Sequence, residues 1–244
     1  MQRILLTLRY DGTAYHGWQV QPNARTVQET LQDAIEAVTG VRAGVIGCSR
    51  TDAGVHADMF CCTFDTHSPL RGNKLCSALN YHLPADVAVY DAADVAADFH
   101  PRYHARGKRY VYRIWNGAQR HPGYAPYALH RNRPLDTDVM NAAAAAFVGT
   151  HDFAGFCAAG SDVQGTVRTV QRCTVERQGE LVLFTVEADG FLYNMVRIMV
   201  GTLLDIADGR IAAADLPAII RSANRARAGA TAPAHGLCLQ EVFY

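Results

Sequence analysis

Residues 48–57 read CSRTDAGVHA, and two apolar runs flank them, AGVIG at residues 43–47 and MFCCTF at residues 59–64. The apolar runs predict two strands, and the polar stretch between them predicts a sharp turn. Asp and Gly favour turns, because an Asp side chain can bond its own backbone and Gly tolerates positive φ. Local chemistry alone therefore predicts a hairpin turn with one carboxylate, Asp52, at the bend.

The first hundred residues extend this hairpin into an α+β unit. Thr26 and Glu29 have the spacing of a capping box, apolar residues then recur at helical spacing, and Gly40 is a stop signal. In chain order the pattern predicts strand 4–10, a helix from residue 27 to Gly40, strands 43–48 and 59–64, helix 70–81 and strand 87–90. This βαββαβ order is that of a ferredoxin-like unit.

The remainder of the chain repeats the same order. It predicts strand 108–115, helix 136–148, strands 167–176 and 181–187, helix 192–207, a short helix 212–222 and strand 237–243. We therefore expect an α+β fold of two pseudo-duplicated βαββαβ units, with a central cleft between antiparallel sheets. The expected domains are residues 1–100, which carry Asp52, and residues 101–244, which complete the cleft. Clefts at domain interfaces are favoured ligand sites.

The charge of the chain is balanced but unusual in kind. The formal net charge is zero, and of the 23 basic residues only Lys74 and Lys108 are lysines, which leaves 21 arginines. Arginine offers a planar fork for phosphates and a face that stacks on bases. Two interpretations stay open at this level, an asymmetrically placed RNA-binding surface and an ordinary solvated surface.

Several functional classes receive no support from the sequence. The seven cysteines include no C-x-x-C pair and the ten histidines include no H-E-x-x-H spacing, so we expect buried thiols in a reducing compartment and no metal site. No apolar run approaches the roughly 20 residues that span a bilayer. The chain begins directly with a strand-like pattern, so we expect no secretory signal and a cytoplasmic protein.

Four segments together carry a resemblance to a known family. They read YDGTAYHGWQ at residues 10–19, RTDAGVHA at 50–57, KRYVYR at 108–113 and GFLYNMVR at 190–197. In this order they resemble the tRNA pseudouridine synthases, and the resemblance covers nearly the whole chain. Ser49 departs from the pattern, since glycine is common at that position in the family.

The resemblance implies an enzyme that isomerises uridine to pseudouridine in the anticodon stem-loop of tRNA, at positions 38, 39 and 40. It implies no cofactor, and a homodimer in which one tRNA touches both subunits. Asp52 would be the nucleophile acting on a flipped-out nucleotide, and Tyr110, Arg197 and Arg50 would bind substrate. Thr51, Gly54, His56 and Leu192 would support the site, and RNA contacts are expected from Trp18, Gln19, Gln21 and Arg109.

Physical chemistry adds one pairing to this list. A carboxylate buried against a base tends to protonate, because desolvation raises its pKa, so Asp52 needs a cationic partner to stay charged. Arg197 is a lone charge in the apolar run 191–200, where an arginine is either paired or reaches out to water. We favour pairing with Asp52. The sequence leaves open whether the carboxylate adds to the base or to the sugar carbon.

Two other functions compete with this interpretation. An RNA-binding module without catalysis would use the same arginines and tyrosines, but a carboxylate in a basic cleft would repel phosphate. A glycoside hydrolase also places an Asp near an anomeric carbon, but it usually needs a second carboxylate roughly 5 to 9.5 Å away. Asp58 is the nearest candidate, and the strand pattern points it elsewhere.

Overall fold

The computed structural model describes residues 1–160 and 165–244. The strands are β1 Gln2–Tyr10, β2 Ile46–Gly47, β3 His56–Thr66, β4 Val87–Val95, β5 Gly107–Trp115, β6 Leu129–His130, β7 Gly149–Asp152, β8 Val167–Gln178, β9 Leu181–Ala188 and β10 Leu237–Phe243. The helices are α1 Val27–Thr39, α2 Gly72–His82, α3 Thr137–Ala144, α4 Met195–Ala207 and α5 Leu216–Arg221. The mixed content and the mostly antiparallel pairing confirm the predicted α+β class.

The chain forms two compact units, residues 1–106 with 238–244, and residues 107–237. The predicted domains were 1–100 and 101–244, so the prediction assigned the last strand to the second domain, whereas the structure assigns it to the first unit. The first unit shows the predicted βαββαβ order, and β10 joins it late in the sequence. Duplication of the two halves stays a prediction.

The sheet of the first unit has the strand order β4-β1-β3-β10, and β2 pairs with β3. β1 runs antiparallel to β3, with Leu6 opposite Cys62, while β10 runs parallel to β3. Helix α1 begins as its capping box predicts, since the Glu29 amide donates to the Thr26 hydroxyl at 3.4 Å. Fully buried apolar side chains from β1, α1 and β3 fill the core: Ile4, Leu6, Leu8, Leu31, Ile35, Phe60 and Phe64.

In the second unit β5, β9, β8 and β7 follow one another in an antiparallel sheet, and β6 adds a short parallel pair to β5. Tyr112 on β5 lies opposite Phe184 on β9, and both are buried. Helix α4 is buried on most of its surface and supplies much of the core. None of the helices in residues 1–160 and 165–244 is long and apolar enough to cross a bilayer.

Three local predictions need correction, and two short strands were not predicted. The strand expected at 43–48 pairs only over Ile46–Gly47, and the two-residue strand β6 and the four-residue strand β7 were not predicted. The helix expected at 136–148 ends at Ala144 and tightens into a 3₁₀ turn. The helix expected from residue 192 begins at Met195, because Asn194 has the left-handed backbone angle φ 60°.

Candidate active site

Asp52 lies in an irregular loop, residues 48–55, between β2 and β3. The loop turns back on itself where the Val55 amide donates to the Asp52 carbonyl at 3.1 Å. Gly54 supplies the positive φ of 76° that this turn requires. The Asp52 side chain is half-buried, whereas Thr51 before it is buried and Arg50 is exposed. The structure thus places Asp52 on a turn that hydrogen bonds hold in place, and the exposed Arg50 precedes it by two positions in the sequence.

The segment before helix α1, residues 11–26, packs directly against this loop, and we call it the N-terminal arm. The Trp18 amide donates to the Thr51 carbonyl at 3.1 Å, and the Gly54 amide donates to the Tyr15 carbonyl at 3.2 Å. Glycines allow this approach, because a Cβ on Gly17 would lie 2.5 Å from the Thr51 carbonyl oxygen. The arm therefore holds the backbone on both sides of Asp52.

Side chains complete the support. The Tyr10 and Thr51 hydroxyl oxygens lie 2.8 Å apart in a buried hydrogen bond. His56 Nδ1 accepts the Gly12 amide at 3.0 Å, and Asp11 Oδ1 lies 3.2 Å from the same nitrogen. His56 therefore joins Gly12 and Asp11 of the N-terminal arm to the start of β3. His56 and Thr51 thus contact the loop as structural groups.

The arm residues expected to touch RNA have unequal positions. Trp18 is only 2% exposed, and its ring stacks on Phe60 with centroids 4.0 Å apart. The ring therefore belongs to the core of this structure, and a contact of Trp18 with RNA stays a prediction. Gln21 is exposed but donates its amide to the His16 carbonyl at 2.7 Å, and Gln19 is exposed.

In the second unit, β5 carries Tyr110 on its buried face and Arg109 on the other. The Tyr110 ring is 5% exposed and meets the edge of Phe191 at a centroid distance of 4.9 Å. Arg109 donates from Nε to Glu187 Oε1 at 2.8 Å, so its charge is compensated within the protein. Tyr112, on the same face as Tyr110, is also buried. Burial raises the pKa of its hydroxyl well above the ordinary value.

Arg197 lies in the first turn of α4 and is half-buried. Its Nε donates to the Ala232 carbonyl at 2.7 Å, and its Nη1 donates to Asn194 Oδ1 at 2.6 Å. Leu192, also expected to support the site, is 5% exposed and precedes the helix. The guanidinium is therefore held in a fixed orientation from two directions rather than extended freely into solvent.

Some residues that support the candidate site residues were not predicted from the sequence. Tyr10, Gly12 and Gly17 support the Asp52 loop, and Asn194 with the Ala232 carbonyl supports Arg197. The arm motif at residues 10–19 was visible in the sequence, but its pattern predicted RNA contacts and not support of the Asp52 loop. In the described parts of the chain, no group of three or more His, Cys, Asp or Glu side chains is arranged to hold a metal ion.

Comparison with known proteins identifies the family of this chain. The tRNA pseudouridine synthase family model matches residues 7–104 and 143–244. Proteins named tRNA pseudouridine synthase A from Acetivibrio thermocellus, a Thermoanaerobacter species and Clostridium kluyveri are 47%, 46% and 44% identical to it. Each of these alignments covers 100% of both chains. The chain therefore belongs to the tRNA pseudouridine synthase family of isomerases.

Proposed function

We propose that this enzyme converts uridine to pseudouridine in the anticodon stem-loop of tRNA, at positions 38, 39 and 40. The reaction breaks the bond between ribose C1′ and uracil N1 and forms a bond between C1′ and C5. The C5 proton is lost to solvent, and N1 gains a proton, so the mass does not change. Asp52 acts as the nucleophile, adding to the nucleoside while the base is released and turned.

One observation carries this assignment: the backbone of Asp52 is fixed between the N-terminal arm and β3. The Thr51 carbonyl accepts from Trp18, and the Asp52 carbonyl accepts from Val55. A nucleophile contributes most when its position is set before the substrate arrives, because ordering it during the reaction would cost entropy. A simple RNA-binding surface has no need for a carboxylate held in this way.

Tyr110 and Arg197 complete the proposal by resemblance to the family. Arg197 keeps the Asp52 carboxylate ionised once water is excluded, since an opposite charge favours the charged form. The Tyr110 ring stacks on the extruded base. Arg50 contacts the nucleotide or fills the space that it leaves in the stem-loop. Extruding a base costs a few kcal/mol, which such contacts offset.

The partner of the site is tRNA, and we propose that two copies of the chain act together in the cytoplasm, where tRNA is used. The net charge of zero favours this arrangement, because each chain alone offers limited positive surface. Analytical ultracentrifugation at micromolar concentration tests it, and a monomer with full activity at nanomolar concentration contradicts it.

The decisive experiment follows product formation on tRNA labelled with tritium at uridine C5. Wild-type protein should release tritium and leave a carbodiimide-reactive base, and on unlabelled tRNA the mass should not change. Asp52→Asn should lower kcat at least about 1,000-fold. Asp58→Asn, an exposed acid on the neighbouring strand, is the matched control and should retain activity.

The alternative of RNA binding without catalysis makes the opposite prediction. It requires tight tRNA binding with no tritium release from the wild-type protein. Equal product from wild type and Asp52→Asn would remove Asp52 from the chemistry while leaving the family assignment intact. Mapping the modified uridines by carbodiimide primer extension tests the positions 38, 39 and 40 separately.

A further inference from the structure

Asn194 has a backbone conformation that its place in the fold does not explain. It occupies the N-cap position of α4 with φ 60° and ψ 8°, in the left-handed region. An N-cap Asn ordinarily has an extended backbone and accepts an amide of the first helical turn with its side chain. Here the side chain makes no such capping bond. The helix start therefore forgoes a stabilising interaction, as is common at functional sites.

The side-chain oxygen of Asn194 is directed instead at a charged group. Oδ1 accepts a hydrogen bond from Arg197 Nη1 at 2.6 Å, a short, charge-assisted contact. Asn is among the few non-glycine residues that enter the left-handed region at moderate cost. The backbone angle at Asn194 thus brings its side-chain amide into contact with the guanidinium of Arg197, three residues later in the chain.

The second contact of Arg197 is fixed by close backbone packing. Its Nε donates to the Ala232 carbonyl, and the Ala232 amide returns a bond to the Arg197 carbonyl at 3.1 Å. The segment before Ala232 lies against α4 without room for side chains, since a Cβ on Gly201 would lie 1.7 Å from the Ala230 carbonyl oxygen. The Gly229 amide also donates to the Thr202 hydroxyl at 2.9 Å.

A nearby arginine, Arg225, stabilises this segment. Arg225 donates from Nη1 to the Gly229 carbonyl at 2.9 Å and from Nη2 to the Thr231 hydroxyl at 3.3 Å. The Ala232 carbonyl is consequently a rigid acceptor. The Ala232 acceptor is a backbone carbonyl, whereas the Asn194 acceptor is a side-chain oxygen that a substitution can remove.

We propose that Asn194 is a positioning residue that sets the orientation of the Arg197 guanidinium for the reaction. The inference rests on the proposed role of Arg197 beside the reacting carboxylate. Two acceptors on different sides of a planar guanidinium fix both its plane and its rotation, so its remaining donors point in one direction. Losing Asn194 leaves the charge in place but removes one of these two constraints on its orientation.

Asn194→Gly is the informative variant, because glycine adopts the same φ and only the amide is lost. We expect kcat to fall about 10- to 100-fold with the Kd for tRNA nearly unchanged, since a small misplacement of a catalytic group has this effect. Ala223→Gly is the matched control. Ala223 also has a positive φ, 50°, at an exposed position, and its replacement should leave kcat unchanged.

A double-mutant cycle separates positioning from a structural role. Lysine at position 197 keeps the charge but lacks the fork, so Asn194→Gly should change single-turnover rates less than about threefold in an Arg197→Lys background. Equal losses in both backgrounds, or an unchanged kcat in Asn194→Gly alone, would overturn the proposal. Wild-type turnover in Arg197→Lys would instead contradict the proposed role of the Arg197 fork.

Discussion

The hydroxyl oxygens of Tyr10 and Thr51 lie 2.8 Å apart in the interior of the first unit. This bond joins the end of β1 to the residue immediately before Asp52, 41 positions later in the chain. Neither hydroxyl has solvent as an alternative partner, because Tyr10 is 4% and Thr51 7% exposed. The position of Asp52, the proposed nucleophile, therefore depends on the buried hydroxyl of Tyr10, which has a supporting and not a chemical role.

Tyr10→Phe should lower kcat about 10-fold while changing the KM for tRNA little, because the Thr51 hydroxyl loses its partner and the loop loses one constraint. Steady-state tritium release measures both constants. Thr51→Val removes the other side of the same bond. The double variant should be no worse than either single variant, since the interaction can be lost only once.

Tyr244→Phe is the control for this experiment. It removes a Tyr hydroxyl that donates to the Pro101 carbonyl at 2.9 Å in the same unit, outside the Asp52 loop. It should leave kcat unchanged. Equal loss of kcat in Tyr244→Phe and Tyr10→Phe would show a general effect of stability, and the special role of Tyr10 would be refuted.

Gly17→Ala should destabilise the protein by more than about 3 kcal/mol and abolish turnover. The φ of 89° strains any residue with a Cβ, and that Cβ would lie 2.5 Å from the Thr51 carbonyl oxygen. Gly40→Ala has a similar φ, 74°, with no atom near the added carbon, so it should cost only about 1–2 kcal/mol. Urea unfolding compares the two, and equal costs would argue against the close approach.

Trp18→Phe should reduce stability by about 1–3 kcal/mol while leaving tRNA affinity within about twofold of wild type. The ring stacks on Phe60 in the core, so its loss leaves a cavity rather than an empty binding surface. Filter binding and urea unfolding measure the two quantities. A large loss of tRNA affinity without loss of stability would instead support a direct contact between Trp18 and RNA.

Arg197→Leu should abolish turnover while leaving tRNA affinity mostly intact. The leucine keeps the apolar bulk of the side chain but removes the charge that the proposal places beside Asp52, so the carboxylate becomes protonated when desolvated. Single-turnover kinetics with filter binding test the two parts separately. Near-normal turnover in this variant would refute the pairing.

Stability should depend on pH through Asp208 at the end of α4. Arg131 lies 2.6 Å from the carboxylate and is the main reason that the pKa of Asp208 is below its ordinary value of 3.8. The folded state binds this proton less tightly, so the contribution is complete above pH 3.8 and disappears as pH falls through the lowered pKa. Asp208→Asn should therefore cost about 1–3 kcal/mol at pH 7.

The measurement is urea unfolding of wild type and Asp208→Asn from pH 7 to pH 3. The difference between the two should stay constant down to about pH 4.5 and then shrink. Asp136→Asn on the surface is a suitable comparison, because its oxygen only caps the start of α3. A difference that grows as pH falls would give the wrong sign and refute the ion pair as its source.

Features encoded by neighbouring residues were predictable from the sequence. The helix start at Thr26, where the hydroxyl accepts the Glu29 amide, and the strand 237–243 are found as expected. The pairing of that strand was not, because its partner β3 lies some 180 residues away and alternation does not reveal which neighbour a strand joins. Candidate site residues followed from resemblance, which cannot show backbone angles. The left-handed Asn194 and the burial of Trp18 depend on tertiary contacts and became visible only in the structure.

The membership of β10 in the first unit has a consequence for synthesis on the ribosome. Residues 107–237 must all be translated before Cys238 can reach its place beside His56. At ordinary elongation rates this delay is on the order of ten seconds. During that interval the nascent first unit exposes the edge of β3, next to the Asp52 loop. Its sheet can be completed only after the whole second unit has been made, so the first unit reaches its final fold only when translation of the chain is complete.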